Sequence, residues 1–141
     1  MALKKRKIFI TLVALAILSQ LIPLDRSNPP VTSELETPQE INKIFLRSCF
    51  DCHSNETVWP WYSWVAPVSW LVVNDVLEGR EHLNFSTWGD YPADKQRKLR
   101  KEIWESVSEV EMPPFQYFPT HPEARLSDKD KDVILGWAGH N

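Results

Sequence analysis

The stretch Cys49-Phe50-Asp51-Cys52-His53 contains the only two cysteines of the chain, and it governs the interpretation of the whole sequence. Two residues between the thiols let one helical turn present both sulfurs to the two vinyl groups of a haem, while the adjacent histidine reaches the iron. This spacing is the C-x-x-C-H signature of c-type haem attachment. It predicts one covalent haem c, held by Cys49 and Cys52, with His53 as the proximal iron ligand.

Three other chemistries use a closely spaced cysteine pair. A structural zinc site needs four ligands, whereas His82, His121 and His140 occur singly and far from the pair. A thioredoxin-like redox pair needs a β-α-β context, which the sequence pattern lacks. A structural disulfide suits an exported protein but gives His53 no role. Haem attachment accounts for both cysteines and the histidine, so it is the interpretation we favour.

The sixth iron position needs a second ligand unless the site is open, and Met112 is the residue we expect there. A thioether is a soft ligand that favours ferrous iron and raises the reduction potential. The pair Pro113-Pro114 follows it and restricts the backbone that carries it. Core packing is the ordinary use of methionine, but the only other one is Met1. His121 and His82 are the alternative distal ligands.

The rest of the pattern is helical, with no convincing alternating strand. A helix is expected to begin at Thr37-Pro38, because Thr37 can cap it and Glu40 can complete a capping box. Apolar residues at helical spacing place Cys49 on its buried face. Further helices are expected over 67–77 with a stop near Gly79, over 94–110 with Val110 turned inward, and from a Ser127 cap to about 138. The expected fold class is all-α: a small cytochrome c-like helical domain with long loops around one haem.

Aromatic side chains suit the walls of a large flat cofactor, and the chain has seven tryptophans. We expect these indoles to surround the haem, and we single out Trp59 and Trp61 in the aromatic Val58–Pro67 segment. Arg80 is a further candidate in the haem surroundings, as a partner for a propionate. Core packing is the commoner use of tryptophan, and a surface position is the commoner place for arginine.

The N-terminal segment has the features of export. Four basic residues, Lys4, Lys5, Arg6 and Lys7, precede the uncharged apolar stretch Ile8–Leu24. Its length is at the lower edge for a spanning helix and slightly above that of a signal-peptide hydrophobic region, and no small-x-small cleavage pattern ends it. We therefore expect an uncleaved hydrophobic helix in the cytoplasmic membrane with the N-terminus inside. The expected organisation is a signal-anchor or signal segment over 1–24, a linker over 25–36 and a haem-binding domain over 37–141 in the periplasm or extracytoplasmic space.

Charge limits the partners of the domain outside the membrane. From Asp25 onward the chain has 12 basic and 19 acidic residues, a formal net charge of −7. Nucleic acid is excluded as a partner, because phosphate binding needs a basic surface. A basic redox protein suits the acidic surface, and no small-molecule substrate is identified.

The sequence is similar to the small haem-binding domain family of cytochrome c type found in bacterial exported proteins. The similarity extends over nearly the whole chain, and its shared features are Gln20, Asn28-Pro29-Pro30, Cys49-x-x-Cys52-His53, Trp59-Pro60-Trp61, Gly79-Arg80, Leu83-Asn84-Phe85-Ser86 with Trp88, Met112-Pro113-Pro114, Tyr117 and His121-Pro122. The resemblance implies a haem domain with His53 proximal and Met112 distal. It implies little about a physiological reaction.

A haem iron with two protein ligands has no vacant position for a substrate and exchanges electrons with other centres. We therefore expect a membrane-tethered electron carrier rather than an enzyme. The alternative is a haem-based enzyme or a gas or redox sensor, in which the sixth iron position is open or Met112 is displaceable. A haem that only stabilises a small fold is the third possibility.

Overall fold

The computed structural model describes residues 2–139, and all regular elements within this range are helical, without strands. The all-α prediction is therefore confirmed. The α-helices are α1 (Ala2–Ser19), α2 (Gln39–Ser48), α3 (Phe50–His53), α4 (Val68–His82), α5 (Ala93–Ser108) and α6 (Asp128–Gly139). Short 3₁₀ helices cover Trp61–Trp64, Phe85–Asp90, Phe115–Tyr117 and Pro122–Ala124. His140, considered above as a metal ligand, lies outside the described residues.

Helix α1 begins before the apolar stretch and ends within it. It includes the basic residues Lys4–Lys7, and it ends at Ser19 rather than continuing to Leu24. Its side chains from Ile8 to Leu18 are largely exposed. Over residues 2–139, no helix has the combination of length and apolar character needed to cross a membrane.

The segment between α1 and α2 is extended, and it lies along the domain. Its backbone donates hydrogen bonds from Thr32 and Ser33 to the Ser86 carbonyl, both at 3.1 Å, and from Leu35 to the Phe85 carbonyl at 2.8 Å. The Leu35 side chain is buried in the hydrophobic core. The expected linker over 25–36 is thus fastened to the domain along much of its length.

An aromatic cluster forms the centre of the core where α2, α6 and the Phe85–Asp90 helix meet. The rings of Phe45 and Phe85 stack at 5.0 Å, and those of Phe50 and Phe85 stack at 5.2 Å. Trp137 of α6 meets the Phe45 ring edge-on at 5.2 Å. Each such pair adds about 0.5–1.5 kcal/mol beyond the burial of its surface. The cluster fixes Phe50, and with it the start of the cysteine-histidine turn.

Helix ends follow the sequence signals in one case and depart from them in others. Ser127 caps α6, since its hydroxyl accepts a hydrogen bond from the Asp130 amide at 3.2 Å while the Asp130 carboxylate accepts from the Ser127 amide. The capping box expected from Thr37 and Glu40 does not form. Pro38 occupies the N-cap position of α2 in place of Thr37, and no side chain makes a capping hydrogen bond there. The prediction for Val110 is wrong: α5 ends at Ser108, and the Val110 side chain is exposed with φ of 62°.

Candidate functional site

A cavity of about 350 Å³ lies between α3, α4, α5 and the loop that follows α5. Cofactor pockets in proteins begin at about this size. Its lining includes Cys49, Cys52, His53 and Met112, all predicted from the sequence, and also His82. The apolar part of the wall consists of Leu83, Phe85, Leu99, Ile103, Val107, Pro113 and Pro114. Residues separated by some sixty positions in the chain therefore meet around one apolar space.

His53 is held in one tautomer by backbone carbonyls. Its Nδ1 lies 3.0 Å from the Gly79 oxygen and 3.1 Å from the Leu83 oxygen. Carbonyl oxygens only accept hydrogen bonds, so Nδ1 carries the proton and Nε2 keeps its lone pair. Burial lowers the pKa of His53 below its ordinary value, and the two carbonyls oppose this only in part. A neutral imidazole with a free Nε2 and a fixed Nδ1–H is the form that ligates a metal.

Gly79 lets α4 approach this histidine turn closely. A Cβ atom at position 79 would lie 2.6 Å from the carbonyl oxygen of Cys52, closer than atoms in real structures pack. The expected helix stop at Gly79 is wrong, since α4 continues to His82 and no described glycine has a positive φ. The missing side chain serves helix packing, and it brings the Gly79 carbonyl within hydrogen-bond reach of His53.

Cys49 and Cys52 are free thiols on the cavity wall. Burial raises the pKa of each thiol to about 12, with smaller contributions from neighbouring negative groups. The reactive cysteine of a thioredoxin-like pair acts as a thiolate, in surroundings that lower its pKa. A structural zinc site needs four ligands. No cluster of three or more histidine, cysteine, aspartate or glutamate side chains that could hold a metal ion occurs within residues 2–139. The environment of this pair therefore matches neither a zinc site nor a reactive dithiol.

The three candidate distal ligands differ in position. Met112 and His82 both line the cavity, and His82 also lies 3.7 Å from the Glu102 carboxylate. His121 does not line it: its Nε2 is 2.9 Å from the Tyr62 hydroxyl, and its Nδ1 is 3.3 Å from a Glu123 oxygen. Both nitrogens of His121 are therefore engaged elsewhere, which leaves Met112 and His82.

A hydrogen bond absent from the sequence predictions joins the two sides of the site. The Tyr117 hydroxyl donates to the Asp51 carboxylate at 2.6 Å, and both residues line the cavity. The other Asp51 oxygen accepts from the Val58 amide at 3.0 Å. Asp51 belongs to the cysteine-histidine turn and Tyr117 to the loop that follows Met112, so the bond connects the elements that carry the two expected iron ligands. The available signals were the position of Asp51 inside the C-x-x-C-H stretch and the presence of Tyr117 among the features shared with the haem-binding family.

The tryptophans and Arg80, expected around the haem, lie elsewhere. No tryptophan lines the cavity. Trp61 is exposed, and Trp59 is half-buried with an indole N–H that has no hydrogen-bond partner. The Arg80 guanidinium donates instead to the Ser54 and Ser27 carbonyls, at 2.7 and 2.9 Å, and to two side-chain oxygens. These hydrogen bonds join the extended segment between α1 and α2 to the loop after His53.

The features of the cavity fit a haem group. An apolar space receives the ring, two half-buried neutral thiols lie on its wall, and His53 has a fixed tautomer with its ligating nitrogen unpaired. Comparisons with curated proteins and with solved structures gave no match. A scan against protein-family models matched the haem-binding domain over residues 14–140. This match covers nearly the whole chain and includes every residue of the cavity wall, so the chain belongs to the haem-binding domain family.

Proposed function

We propose that the chain is a mono-haem c-type cytochrome that carries electrons outside the cytoplasmic membrane, to which its N-terminal segment tethers it. The observation that supports this best is the meeting of Cys49, Cys52, His53 and Met112 around one apolar cavity. Membership of the haem-binding domain family supports the haem itself. The all-helical architecture agrees with a cytochrome c-like fold.

Each of these four residues has a distinct task in the proposal. Cys49 and Cys52 would hold the haem through thioether bonds, each formed when an S–H adds across a vinyl group. His53 would bind the iron through Nε2, while the carbonyls of Gly79 and Leu83 orient its imidazole and raise its basicity. Met112 would be the second protein ligand of the iron and would favour the ferrous state. Bound haem supplies one-electron exchange between ferric and ferrous iron.

The proposed tether rests on the N-terminal helix. Ile8, Phe9, Leu12, Leu15 and Leu18 of α1 each expose more than half of their surface. Such a row of exposed apolar side chains is costly in water and favourable in lipid. The basic cluster Lys4–Lys7 at the start of α1 favours a cytoplasmic N-terminus. Because α1 alone is too short to cross the bilayer, the proposal requires the whole uncharged stretch Ile8–Leu24, which continues past the end of α1 at Ser19, to bring the haem domain to the outer side. The proposed partner is a redox protein of complementary charge at the membrane.

Absorption spectroscopy of the purified protein, oxidised and reduced, with and without carbon monoxide, tests the electron-carrier proposal. A carrier shows low-spin haem and a methionine-to-iron band, and it does not bind carbon monoxide readily. Rapid binding of carbon monoxide would favour the alternative, a haem enzyme or gas sensor with a displaceable sixth ligand. Acid extraction of denatured protein tests the attachment, since thioether-linked haem stays with the chain and unlinked haem leaves it.

Two matched variants assign the sixth ligand. Met112→Ala should abolish the methionine-to-iron band and open the iron to carbon monoxide. His82→Ala should leave both properties unchanged, although His82 also lines the cavity. The opposite pair of results would assign His82 as the ligand and remove Met112 from the proposal.

A further inference from the structure

An uncharged surface lies outside the cavity. Residues 57–74 contain no Asp, Glu, Lys, Arg or His, in a chain where 25% of the residues are acidic or basic. This stretch includes four of the seven tryptophans. Five of its exposed apolar side chains, called here the tryptophan face, are Trp61, Trp64, Val65, Val68 and Leu71, with exposed fractions of 78, 61, 45, 44 and 68%. Apolar side chains of this size grouped on a surface mark a contact with something other than water.

The tryptophan face is fastened to the end of α1. The Gln20 side-chain amide donates to the Ala66 carbonyl at 3.3 Å and accepts from the Ala66 amide at 3.1 Å. Arg26 donates to the Ser63 carbonyl at 2.7 Å, and its guanidinium lies 4.4 Å from the centre of the Trp64 ring. The row of exposed apolar side chains on α1 therefore ends directly beside the tryptophan face.

The chemistry of the tryptophan face suits a lipid bilayer better than a protein. Redox proteins that dock transiently use charged groups to steer and orient each other, and residues 57–74 supply none. Tryptophan is enriched where proteins meet the lipid headgroups, because its ring is apolar and its N–H is polar. A neighbouring arginine, as Arg26 is here beside Trp64, is also a common anchor at that interface.

We propose that the tryptophan face rests on the membrane surface, so that the haem domain lies against the bilayer beside its own tether. The proposal extends the tether part of the proposed function and is independent of the haem chemistry. In this arrangement Trp61, Trp64 and Leu71 sit among the lipid headgroups and upper acyl chains. The acidic parts of the domain remain in water.

Nitroxide labels on full-length, haem-loaded protein test this arrangement in vesicles of phosphatidylethanolamine and phosphatidylglycerol. The haem thioethers consume Cys49 and Cys52, so a new cysteine is labelled selectively. Trp61→Cys and Leu71→Cys place labels on the tryptophan face, Leu12→Cys places one on α1, and Leu135→Cys places one on an exposed position of α6. Power saturation of the oxidised protein compares collisions with oxygen, which concentrates in lipid, and with a water-soluble nickel chelate, each relative to the same sample under nitrogen.

We expect the labels at positions 12, 61 and 71 to show a several-fold higher ratio of oxygen to nickel collisions than the label at Leu135. Labels at 61 and 71 that match the Leu135 label, with position 12 still in lipid, would overturn docking and leave the tether standing. A water-exposed label at position 12 would overturn both the docking and the tether. The haem spectrum of the same samples tests the electron-carrier proposal separately. Val68→Cys repeats the measurement if the change at Trp61 disturbs the haem spectrum.

Discussion

Gly79→Ala tests how closely α4 must pack against the histidine turn. The new Cβ would lie 2.6 Å from the Cys52 carbonyl oxygen, so helix and turn must separate by about 0.8 Å to reach the 3.4 Å of ordinary contact. Forcing an extra carbon into a packed site costs about 1–3 kcal/mol. Replacing glycine by alanine inside a helix recovers about 1 kcal/mol, which offsets part of this cost.

Gly136→Ala is the matched control. Gly136 also lies inside a helix, α6, and a Cβ there meets nothing within 4 Å. This variant should gain about 1 kcal/mol in helix propensity without a packing cost. The Gly79 variant should therefore be less stable than the Gly136 variant by about 1–3 kcal/mol. Urea denaturation of the two full-length, haem-loaded proteins in mild detergent, followed by circular dichroism, measures the difference.

The Gly79 variant should also change the haem. Separation of α4 from the turn lengthens the 3.0 Å contact between the Gly79 carbonyl and His53 Nδ1. A weaker hydrogen bond makes the imidazole a poorer donor to ferric iron, so the reduction potential should rise. The potential should not move in the Gly136 variant. Equal stability of the two variants, together with equal potentials, would refute the close-packing role of Gly79.

Two further predictions concern hydrogen bonds to carboxylates. Tyr117→Phe removes the 2.6 Å hydrogen bond to Asp51 and should lower the free energy of unfolding by about 1.5–3 kcal/mol. It should also speed the displacement of the distal ligand by carbon monoxide in stopped-flow mixing. An unchanged rate would show that the bond does not hold the loop that carries Met112. Burial raises the pKa of Asp130, but hydrogen bonds from Ser127 and Arg47 outweigh it and hold that pKa below the ordinary 3.8. Asp130→Asn should therefore lower the free energy of unfolding by about 0.2–1 kcal/mol at neutral pH. In denaturation curves, this difference in stability from the unaltered protein should disappear as the pH falls through the lowered pKa of Asp130. A difference in stability that persists in acid would contradict this cause.

The parts of the site that follow from local spacing were predictable from the sequence. Two cysteines and a histidine within one helical turn are close in space because of local backbone geometry alone. Their presence on the wall of the same cavity therefore follows from their spacing in the sequence. The burial of Ile41, Ile44 and Phe45 on one face of α2 likewise follows from helical periodicity. Met112 was singled out because it is the only methionine besides Met1 and because the proline pair after it restricts the backbone.

The parts that failed depend on contacts between distant segments. In the sequence, a glycine followed by an arginine resembles the end of a helix. In the structure, Gly79 lies inside α4, where the Cys52 carbonyl of α3 leaves no room for a side chain. Arg80 resembles a free cation until Ser27, Asn28 and Ser54 are seen to accept its hydrogen bonds. The tryptophans had three apolar environments available, the haem, the core and the outer surface, and composition does not distinguish them.

The hydrogen-bonded arm between α1 and α2 determines how far the haem cavity can reach. A free linker of this length would let the domain sample a wide hemisphere above its attachment point. Instead, bonds from Asn28 to the Thr57 carbonyl, from Asn55 to the Pro30 carbonyl and from Leu35 to the Phe85 carbonyl remove that slack. The cavity then keeps a constant height and bearing relative to α1. In the proposed electron carrier this fixed position limits the partners to redox centres that come to the same height and approach from the open side, because electron exchange weakens steeply with separation.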